Sequence, residues 1–315
     1  MTTAGAAEST AARVIECFGR RVIVETPSGE HLAAELFGKR LNVVCGDEVQ
    51  IRNARDIDTL DDSPRVVSVS PRRSLFSRTD SRGRTEHLAA NLTLLAVVIA
   101  PEPYPDAFMM DRYLAGAAYA GISGAVIVNK CDLPSAADAG FVALIEEYQR
   151  AGYPVIQVSA KRGIALEAFT SLLKSQVTML AGQSGVGKST FTNALIPTSE
   201  RRTRALSESR GGEGRHTTVS TALLKIPDIG ELIDSPGVRD YAPALIEDAL
   251  VQTGWPEILA LAPECKFNNC LHLREPACAV SKAVAANALS SRRYESYKRL
   301  MNIMRGLAPD YERRR

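Results

Sequence analysis

The chain carries the stretch Gly182-Gln183-Ser184-Gly185-Val186-Gly187-Lys188-Ser189-Thr190, which fits the pattern G-x-x-x-x-G-K-[S/T] of a P-loop. An apolar run, Val177 to Ala181, precedes it and predicts a buried parallel strand, and Ser189 to Leu195 predicts a helix after it. In such a loop the backbone N–H groups close around phosphates, the lysine reaches the β- and γ-phosphates, and the serine hydroxyl completes a Mg²⁺ shell. The alternative, a glycine-rich turn with a chance Lys-Ser, does not account for the flanking strand and helix. The stretch therefore predicts a nucleotide site in which Lys188 is a catalytic group and Ser189 a Mg²⁺ ligand.

The length and composition of the chain allow several domains, and its small net charge conceals an uneven distribution of charged residues. At 315 residues, with 45% hydrophobic and 23% charged residues, the chain has room for about two or three domains. The net charge is only +2, yet Arg72 to Arg84 carries five arginines and one aspartate, and the tail from Arg292 is rich in Arg and Lys. These patches suit an anionic partner, with a solvated surface as the alternative.

The sequence also indicates where the chain resides. No apolar stretch of the sequence reaches membrane-spanning length, and the N-terminus lacks a signal-peptide core. Residues 1–12 are small and polar and predict a disordered tail. We therefore expect a cytoplasmic protein without a membrane partner, whose cysteines are thiols or metal ligands rather than disulfides.

Residues 13–72 predict a small β-barrel. Short β-rich pieces are separated by turn signals, and strands of this length at this spacing are typical of such barrels, the oligonucleotide-binding (OB) fold being one candidate. A small β-domain with only a packing role is the alternative. The basic run that follows, residues 73–90, predicts a flexible linker. The predicted strands include Arg21–Glu25, Val43–Cys45, Glu48–Arg52 and Arg65–Val69.

Residues 91–243 predict an α/β domain. Apolar strands alternate with amphipathic helices, which is typical of a doubly wound parallel sheet, and ligands of such sheets bind beyond the carboxyl ends of the strands. Residues 197–216 are polar, Arg-rich and Gly-rich and are expected to be mobile without a ligand. The predicted strands are Leu92–Ala100, Gly124–Val128, Pro154–Val158, Val177–Ala181, Thr217–Lys225 and Gly230–Ile233, and the predicted helices before the P-loop are Ala107–Ala120, Asp138–Ala151 and Ile164–Lys174.

Residues 244–315 predict a helical domain with a metal site and a basic C-terminus. Four soft or borderline ligands lie within a short span, and a Cys₃His set suits one closed, structural Zn²⁺ site per chain. Unligated cysteines remain the alternative, because the spacing is not the commonest one for a zinc finger. Cys17, Cys45 and Cys131 have no other cysteine or histidine close to them in the sequence and are expected to be packing residues. The proposed ligands are Cys265, Cys270, His272 and Cys278.

Further motifs at predicted strand ends point to guanine. Asn129-Lys130-Cys131-Asp132 matches the motif in which an aspartate accepts the ring N–H and the exocyclic amine of guanine, a donor pair that adenine lacks. Ser159-Ala160-Lys161 fits the auxiliary base-binding loop, in which Ser159 and Ala160 are the candidate binding residues. Asp234, with Gly237 three residues on, fits the position where the carboxylate holds Mg²⁺ and the glycine N–H contacts the γ-phosphate.

The order of these motifs is unusual, because the guanine motifs precede the P-loop, as a circular permutation would place them. With Gly214-Arg215-His216-Thr217-Thr218 and the segment Cys265 to Val280, nearly the whole chain resembles the bacterial family of ribosome small subunit-dependent GTPase A. The resemblance implies an N-terminal OB-fold, a permuted GTPase domain and a C-terminal zinc domain. It also implies GTP and GDP as ligands, a 30S subunit and 16S rRNA as partners, action late in 30S assembly, and hydrolysis stimulated by the subunit. We expect a monomer.

The catalytic water poses a separate question. Ras-like enzymes place a water-orienting glutamine after the glycine of the third motif, where this chain has Val238, which can neither donate nor accept. The resemblance points to His216 instead, with a solvated loop histidine, or one that shapes the Mg²⁺ loop, as the alternative. Thr217 or Thr218 is the second Mg²⁺ hydroxyl, and the sequence does not choose between them.

Two rival functions remain open at this point. One is an RNA-binding assembly factor with a vestigial nucleotide site, and the other is a permuted GTPase that serves another RNA partner. The intact Lys188, Ser189 and Asp234 argue against the vestigial site.

Overall fold

The N-terminal strands close into a barrel in the computed structural model, which describes residues 9–53, 63–80, 82–195, 221–234 and 241–307. The closed order is β1-β2-β3-β5-β4, with β4 returning to β1, and β3 runs parallel to β5. This order is that of the OB-fold barrel, and inward-facing valines such as Val14, Val24 and Val66 fill its core. The strands are β1 (Thr10–Phe18), β2 (Arg21–Glu25), β3 (His31–Leu36), β4 (Glu48–Arg52) and β5 (Arg65–Val69).

Two details of this region differ from the prediction. Residues 10–12, predicted as tail, belong to β1, because Thr10 pairs with Ile51 and Ala12 is buried against the barrel core. Val43–Cys45, predicted as a strand, lies in the loop before β4, where Cys45 is fully buried. Residues 1–8 lie outside the described part of the chain.

The basic run is an ordered β-hairpin, which corrects the prediction of a flexible linker over residues 73–90. Strands β6 (Leu75–Thr79) and β7 (Thr85–Ala90) pair antiparallel. Phe76 is fully buried and stacks on Tyr241, with ring centroids 5.0 Å apart. The hairpin folds because this aromatic anchor outweighs the charged residues around it.

The central sheet is doubly wound, as predicted. Its order is β10-β9-β8-β11-β13-β12, and neighbouring strands are parallel except for β12, which runs antiparallel to β13. The strands are β8 (Leu94–Ile99), β9 (Ser123–Val128), β10 (Val155–Gln157), β11 (Val177–Ala181), β12 (Thr221–Ile226) and β13 (Gly230–Asp234). The helices are α1 (Ala107–Tyr119), α2 (Ala139–Arg150), α3 (Leu166–Leu173) and α4 (Lys188–Leu195).

Hydrophobic side chains cover both faces of this sheet, which explains the continuous apolar run in β8. Leu95 and Val97 pack with residues of α1 and α2, whereas Ala96 and Val98 pack with residues of α3 and α4. The barrel joins the same sheet, because β1 pairs antiparallel with β12. An ion pair between Arg13 and Glu231, 2.6 Å apart, supports that joint.

The C-terminal segments pack against α1 through a buried ion pair. Arg293 donates from Nη1 to Asp111 Oδ1 over 2.7 Å, and both side chains are almost fully buried. Among the described residues, no helix has the length and apolar character needed to cross a membrane. The segments are the 3₁₀ turn Asp248–Gly254, α5 (Pro256–Leu261), the 3₁₀ turn Ala262–Glu264, α6 (Ala279–Ala285) and α7 (Ser291–Leu307).

Candidate functional site: a nucleotide-binding edge and a metal cluster

Motifs that are far apart in the sequence meet at one edge of the central sheet. The P-loop follows β11, Asn129-Lys130-Cys131-Asp132 follows β9, and Ser159-Ala160 follows β10, while Asp234 ends β13. Because these strands are parallel neighbours, their carboxyl ends share an edge, and this is where such sheets bind ligands.

Glycine is required at two points where the P-loop passes another backbone or side chain. Gly182 has a φ of +132°, and a Cβ there would lie 2.1 Å from the carbonyl oxygen of Val98 on β8. Gly187 has a φ of +100°, and a Cβ there would lie 2.2 Å from Asn129 Nδ2. The P-loop thus lies directly against the neighbouring strand and the guanine motif.

The side chain of Lys188 folds back over the P-loop. Its ammonium group donates to the carbonyl oxygens of Gly182 and Gln183, each over 2.6 Å. Ser189 and Thr190 lie exposed in the first turn of α4. The loop therefore presents a cation, hydroxyl groups and a helix N-terminus to the same edge, which suits a phosphate chain.

Asn129 connects the motifs of this edge. It is 3% exposed, donates from Nδ2 to the carbonyl oxygen of Val186 over 2.8 Å, and accepts at Oδ1 from the backbone N–H of Ala160 over 3.0 Å. One buried amide thus fixes the P-loop and the auxiliary loop relative to the guanine motif.

Asp132 presents an ionised carboxylate beside that amide. The hydrogen bond from the Ser159 hydroxyl, together with Arg162, holds the pKa of Asp132 below its ordinary value. Lys130 Nζ donates to the carbonyl oxygen of Glu102 over 2.7 Å. An acceptor-only carboxylate in this place can receive two N–H donors from a base.

Four of the predicted site residues lie outside the described part of the chain, and so does Val238. The four are His216, Thr217, Thr218 and Gly237.

The sequence did not predict several residues that contact the nucleotide motifs. Arg162 pairs with Asp132, and the backbone N–H of Asp106 contacts Gln183 Oε1 over 3.4 Å. The one usable signal was the position of Arg162, two residues after Ala160 in a motif loop. Asp106 and Glu102 carry no motif of their own.

The predicted metal ligands form a compact cluster. The ligand atoms of Cys265, Cys270, His272 and Cys278 all lie within 4.8 Å of one another. His272 Nδ1 is 3.5 Å from Cys265 Sγ and 3.4 Å from Cys278 Sγ, and the two sulfurs are 3.9 Å apart. Tetrahedral bonds of the lengths usual for Zn²⁺ would place sulfurs about 3.8 Å apart and nitrogen about 3.5 Å from sulfur. The donor set and its spacing therefore fit a metal ion.

The residues around the cluster orient its ligands. Burial lowers the pKa of His272, which favours the neutral imidazole that a metal requires. Its Nε2 lies 2.9 Å from Gln252 Oε1, so the amide oxygen can accept the Nε2 proton and leave Nδ1 facing the cysteines. Tyr294 and Tyr297 of α7 donate to the carbonyl oxygens of His272 and Leu271. The C-terminal helix thus holds the metal loop.

The sequence of this chain is similar to those of known proteins along most of its length. A family model described as RsgA GTPase matches residues 69–243. A Small ribosomal subunit biogenesis GTPase RsgA of Azotobacter vinelandii is 39% identical over 297 residues, covering 91% of this chain and 84% of the relative. A protein of the same name from Pseudomonas aeruginosa is 37% identical, covering 93% of this chain and 85% of the relative.

Solved structures agree with these matches. The crystal structure of YjeQ from Thermotoga maritima superposes with a TM-score of 0.70 at 25% identity, covering 94% of this chain and 99% of that one. The structure of YloQ, described as a circularly permuted GTPase, superposes with a TM-score of 0.70 at 23% identity and covers 99% of this chain and 100% of its own, which concerns the fold alone. The permuted order of motifs, the shared fold and identities above 30% along nine-tenths of the sequence together establish that this chain belongs to the RsgA GTPase family.

Proposed function

We propose that this chain hydrolyses GTP on the 30S ribosomal subunit during late subunit assembly. The observation that carries the nucleotide part is the Asn129 side chain, which joins the P-loop, the guanine motif and the auxiliary loop at one edge. The ribosomal part is supported by the names of the relatives from Azotobacter vinelandii and Pseudomonas aeruginosa. The proposal divides the chain into a barrel over 10–72, a GTPase domain over 91–243 and a metal-binding domain over 244–315.

Each part of the nucleotide has a proposed holder. The amide groups of residues 182–190 and the Lys188 ammonium bind the phosphates, and Asp132 selects guanine, assisted by Lys130, Ser159 and Ala160. Gly237 contacts the γ-phosphate through its N–H. Ser189, Asp234 and one of Thr217 and Thr218 would hold Mg²⁺, which supplies charge neutralisation at the β- and γ-phosphates. Ser189 and Asp234 fit that role because β11 and β13 are parallel neighbours.

The attacking water needs a residue to orient it, and we propose His216. Val238 follows the γ-phosphate glycine and has no polar atom, so the residue that orients water must come from elsewhere in the chain or from the partner. His216 belongs to the Gly- and Arg-rich segment that the family resemblance assigns to catalysis. It would act by positioning the water rather than by new chemistry.

We propose that the Cys₃His cluster holds one structural Zn²⁺. Thiolates and a neutral imidazole in a closed tetrahedral set suit zinc, and all four ligands come from protein, which leaves no open position for catalysis. The cluster would stabilise the loop that α7 holds.

The RNA partner is proposed to be 16S rRNA. Phe18 and Phe37 are large exposed aromatic side chains of the barrel, 44% and 45% accessible, and Lys39 and Arg40 follow Phe37 in the chain. Exposed aromatic rings beside cations suit stacked bases and their phosphates. Because bacterial ribosomal subunits are assembled in the cytoplasm, the proposal places the chain there, as a monomer.

GTP turnover of the full chain, measured with and without 30S particles and with 50S particles as the control, tests the proposal. Slow turnover alone and strong stimulation by 30S particles alone are expected. Binding to 30S particles without any GTP turnover would favour an assembly factor with a vestigial site. Turnover that 30S particles leave unchanged but another RNA stimulates would favour a permuted GTPase with a different partner.

A further inference from the structure

Arg162 forms an ion pair with the carboxylate that is proposed to read guanine. Its Nε lies 2.8 Å from Asp132 Oδ2. The Arg162 side chain is 68% exposed, whereas that of Asp132 is 18% exposed. The arginine side chain is therefore the more exposed partner of this ion pair.

A tight turn fixes the backbone of Arg162 beside the auxiliary base loop. Ser159 and Ile164 form a β-bridge with two backbone hydrogen bonds of 3.1 Å. Inside that bridge, the Arg162 N–H lies 3.2 Å from the Ser159 carbonyl oxygen and 3.3 Å from its Oγ. Gly163, with a φ of +73°, lets the chain turn back. The guanidinium is thus carried on the same rigid turn as Ser159 and Ala160.

The orientation of the Asp132 carboxylate decides whether it can bind a base. At Asp132, Arg162 Nε donates to Oδ2, and the Ser159 hydroxyl and the backbone N–H of Asp132 are further donors to the carboxylate. The ring N–H and the exocyclic amine of guanine each need an acceptor on the same carboxylate, so both bond only when its oxygens face the base. Rotation of a carboxylate about its terminal bond is weakly restricted on its own, so the ion pair at Oδ2 is what would hold this orientation.

We propose that Arg162 is a positioning residue for guanine selectivity, which acts by fixing the orientation of the Asp132 carboxylate. This inference rests on the proposed role of Asp132. It goes further in assigning selectivity to a residue outside the guanine motif, on the next loop of the sheet edge.

The exposure of the pair separates this role from a role in folding. Ion pairs with a solvent-exposed partner contribute little to stability, because water screens the charges and the side chains lose freedom. Removal of the Arg162 side chain should therefore leave the melting temperature unchanged and appear in base recognition.

The test compares GDP with IDP, whose base differs from guanine only by lacking the exocyclic amine. Affinities are measured on the full chain for the wild type, Arg162→Ala, Arg162→Lys and the control Arg150→Ala, which removes an exposed arginine in the last turn of α2. Arg162→Ala should reduce the GDP-to-IDP preference by about three- to fivefold, the scale of an exposed charge pair. Arg162→Lys should restore part of it, and Arg150→Ala should leave it unchanged.

A double-mutant cycle with Asp132→Ala decides whether Arg162 acts through the carboxylate. Arg162→Ala should change nothing further in that background. Equal losses of GDP and IDP affinity, tighter GDP binding by Arg162→Ala, or an undiminished effect without Asp132 would each overturn the inference. A wild type that binds ADP as well as GDP refutes the proposed role of Asp132 and this inference with it. A guanine-selective wild type whose preference survives Arg162→Ala refutes the inference alone.

Discussion

Asn129 shows how much of the nucleotide edge depends on one buried amide. Its two hydrogen bonds reach Val186 in the P-loop and Ala160 in the auxiliary loop, and its surroundings exclude water. Loss of the side chain would leave a buried carbonyl and a buried N–H without partners, at about 1–3 kcal/mol each. Asn129 is therefore a structural joint of the site, whereas selectivity is proposed to lie with Asp132, three residues further along the same motif.

One substitution should invert the base selectivity that is proposed for Asp132. Asp132→Asn replaces an acceptor with a donor, so GTP should bind at least tenfold more weakly, which corresponds to about 1.4 kcal/mol. Xanthosine triphosphate, which offers an acceptor in place of the amine, should gain affinity. Displacement of a fluorescent nucleotide by each triphosphate measures both effects.

The matched control for that substitution is Asp228→Asn. Asp228 is an exposed aspartate in the turn between β12 and β13, at the opposite edge of the sheet. It should leave GTP and xanthosine triphosphate binding unchanged. A wild type that binds ATP and GTP equally would contradict the assignment of Asp132.

At the scale of elements, the hairpin β6–β7 shows why charge runs mislead. Five arginines between 72 and 84 suggest a solvated linker, yet most of them have carboxylate partners contributed by other segments or by the facing strand. The fold of this run depends on Phe76, whose ring meets Tyr241 from a segment about 165 residues away. Local composition carries no information about such a contact. The pairs are Arg72–Asp47, Arg73–Glu48, Arg78–Glu86 and Arg84–Asp80.

The stability of the hairpin β6–β7 should therefore depend on the buried ring of Phe76 rather than on its charged side chains. Phe76→Ala should lower the free energy of unfolding by about 3–5 kcal/mol, the cost of deleting a fully buried phenyl ring. Arg82→Ala, a change of an exposed arginine in the turn, should cost less than about 0.5 kcal/mol. Urea titrations of both variants measure the difference. Equal stabilities would show that the hairpin contributes nothing to the core.

The metal loop can be tested as an element in the same way. Cys270→Ala should lose the metal and loosen the C-terminal segments, because metal-folded peptides derive about 10–16 kcal/mol from such sites. GDP affinity should stay within about twofold, since the ligands lie on other elements than the nucleotide edge. Elemental analysis and protease sensitivity give the readouts, with Cys17→Ala as a cysteine control outside the cluster. A metal-free wild type that is fully folded would refute the site.

At the scale of the whole molecule, the sequence did not predict how the barrel and the C-terminal segments pack against the central α/β domain. Strand alternation and motif spacing were enough for the doubly wound sheet, and motif identity for its ligand edge. They could not show that β1 of the barrel pairs with β12, or that Arg293 is buried against Asp111, because each depends on residues about 180 or more positions apart. The terminal arginines that resembled an RNA-binding tail are partly a buried joint between α7 and α1.

Attachment to the ribosomal subunit should depend on salt concentration through exposed cations such as Lys39 and Arg40. Each phosphate contact with single-stranded RNA adds about 0.7 to the slope of log affinity against log salt. Lys39→Ala with Arg40→Ala, both exposed beside Phe37, should flatten that slope for 30S binding. Arg305→Ala, whose guanidinium is paired with Asp248 over 2.6 Å, should change it less. Affinity that is constant from low to high salt would contradict an electrostatic RNA contact.

GTP hydrolysis should depend on the ribosomal subunit more strongly than GTP binding does. Lys188, the proposed phosphate-binding residue, and Ser189 lie at the loop, and Asp234, with Ser189 a proposed Mg²⁺ ligand, lies at the neighbouring strand end, so GTP should bind to the isolated chain. The position that orients water in Ras-like enzymes holds Val238, which has no polar side-chain atom. Ras-like turnover is only about 10⁻⁴ s⁻¹ even with its glutamine, and supplied groups add roughly 10³–10⁵-fold. We therefore expect slow turnover alone and strong stimulation by 30S particles.

The variant His216→Ala tests whether the stimulation by 30S particles comes from His216 or from another water-orienting group. If docking on the subunit places the imidazole beside the attacking water, the variant should lose most of the stimulated rate, because positioning the water is the role proposed for His216. It should keep wild-type affinity for GTP and for 30S particles, since the proposal assigns phosphate and base binding to other residues. Single-turnover hydrolysis on saturating 30S particles, alongside binding of both ligands, gives the three readouts. A variant that is stimulated as strongly as the wild type would place the water-orienting group on the ribosome or on the backbone of this chain.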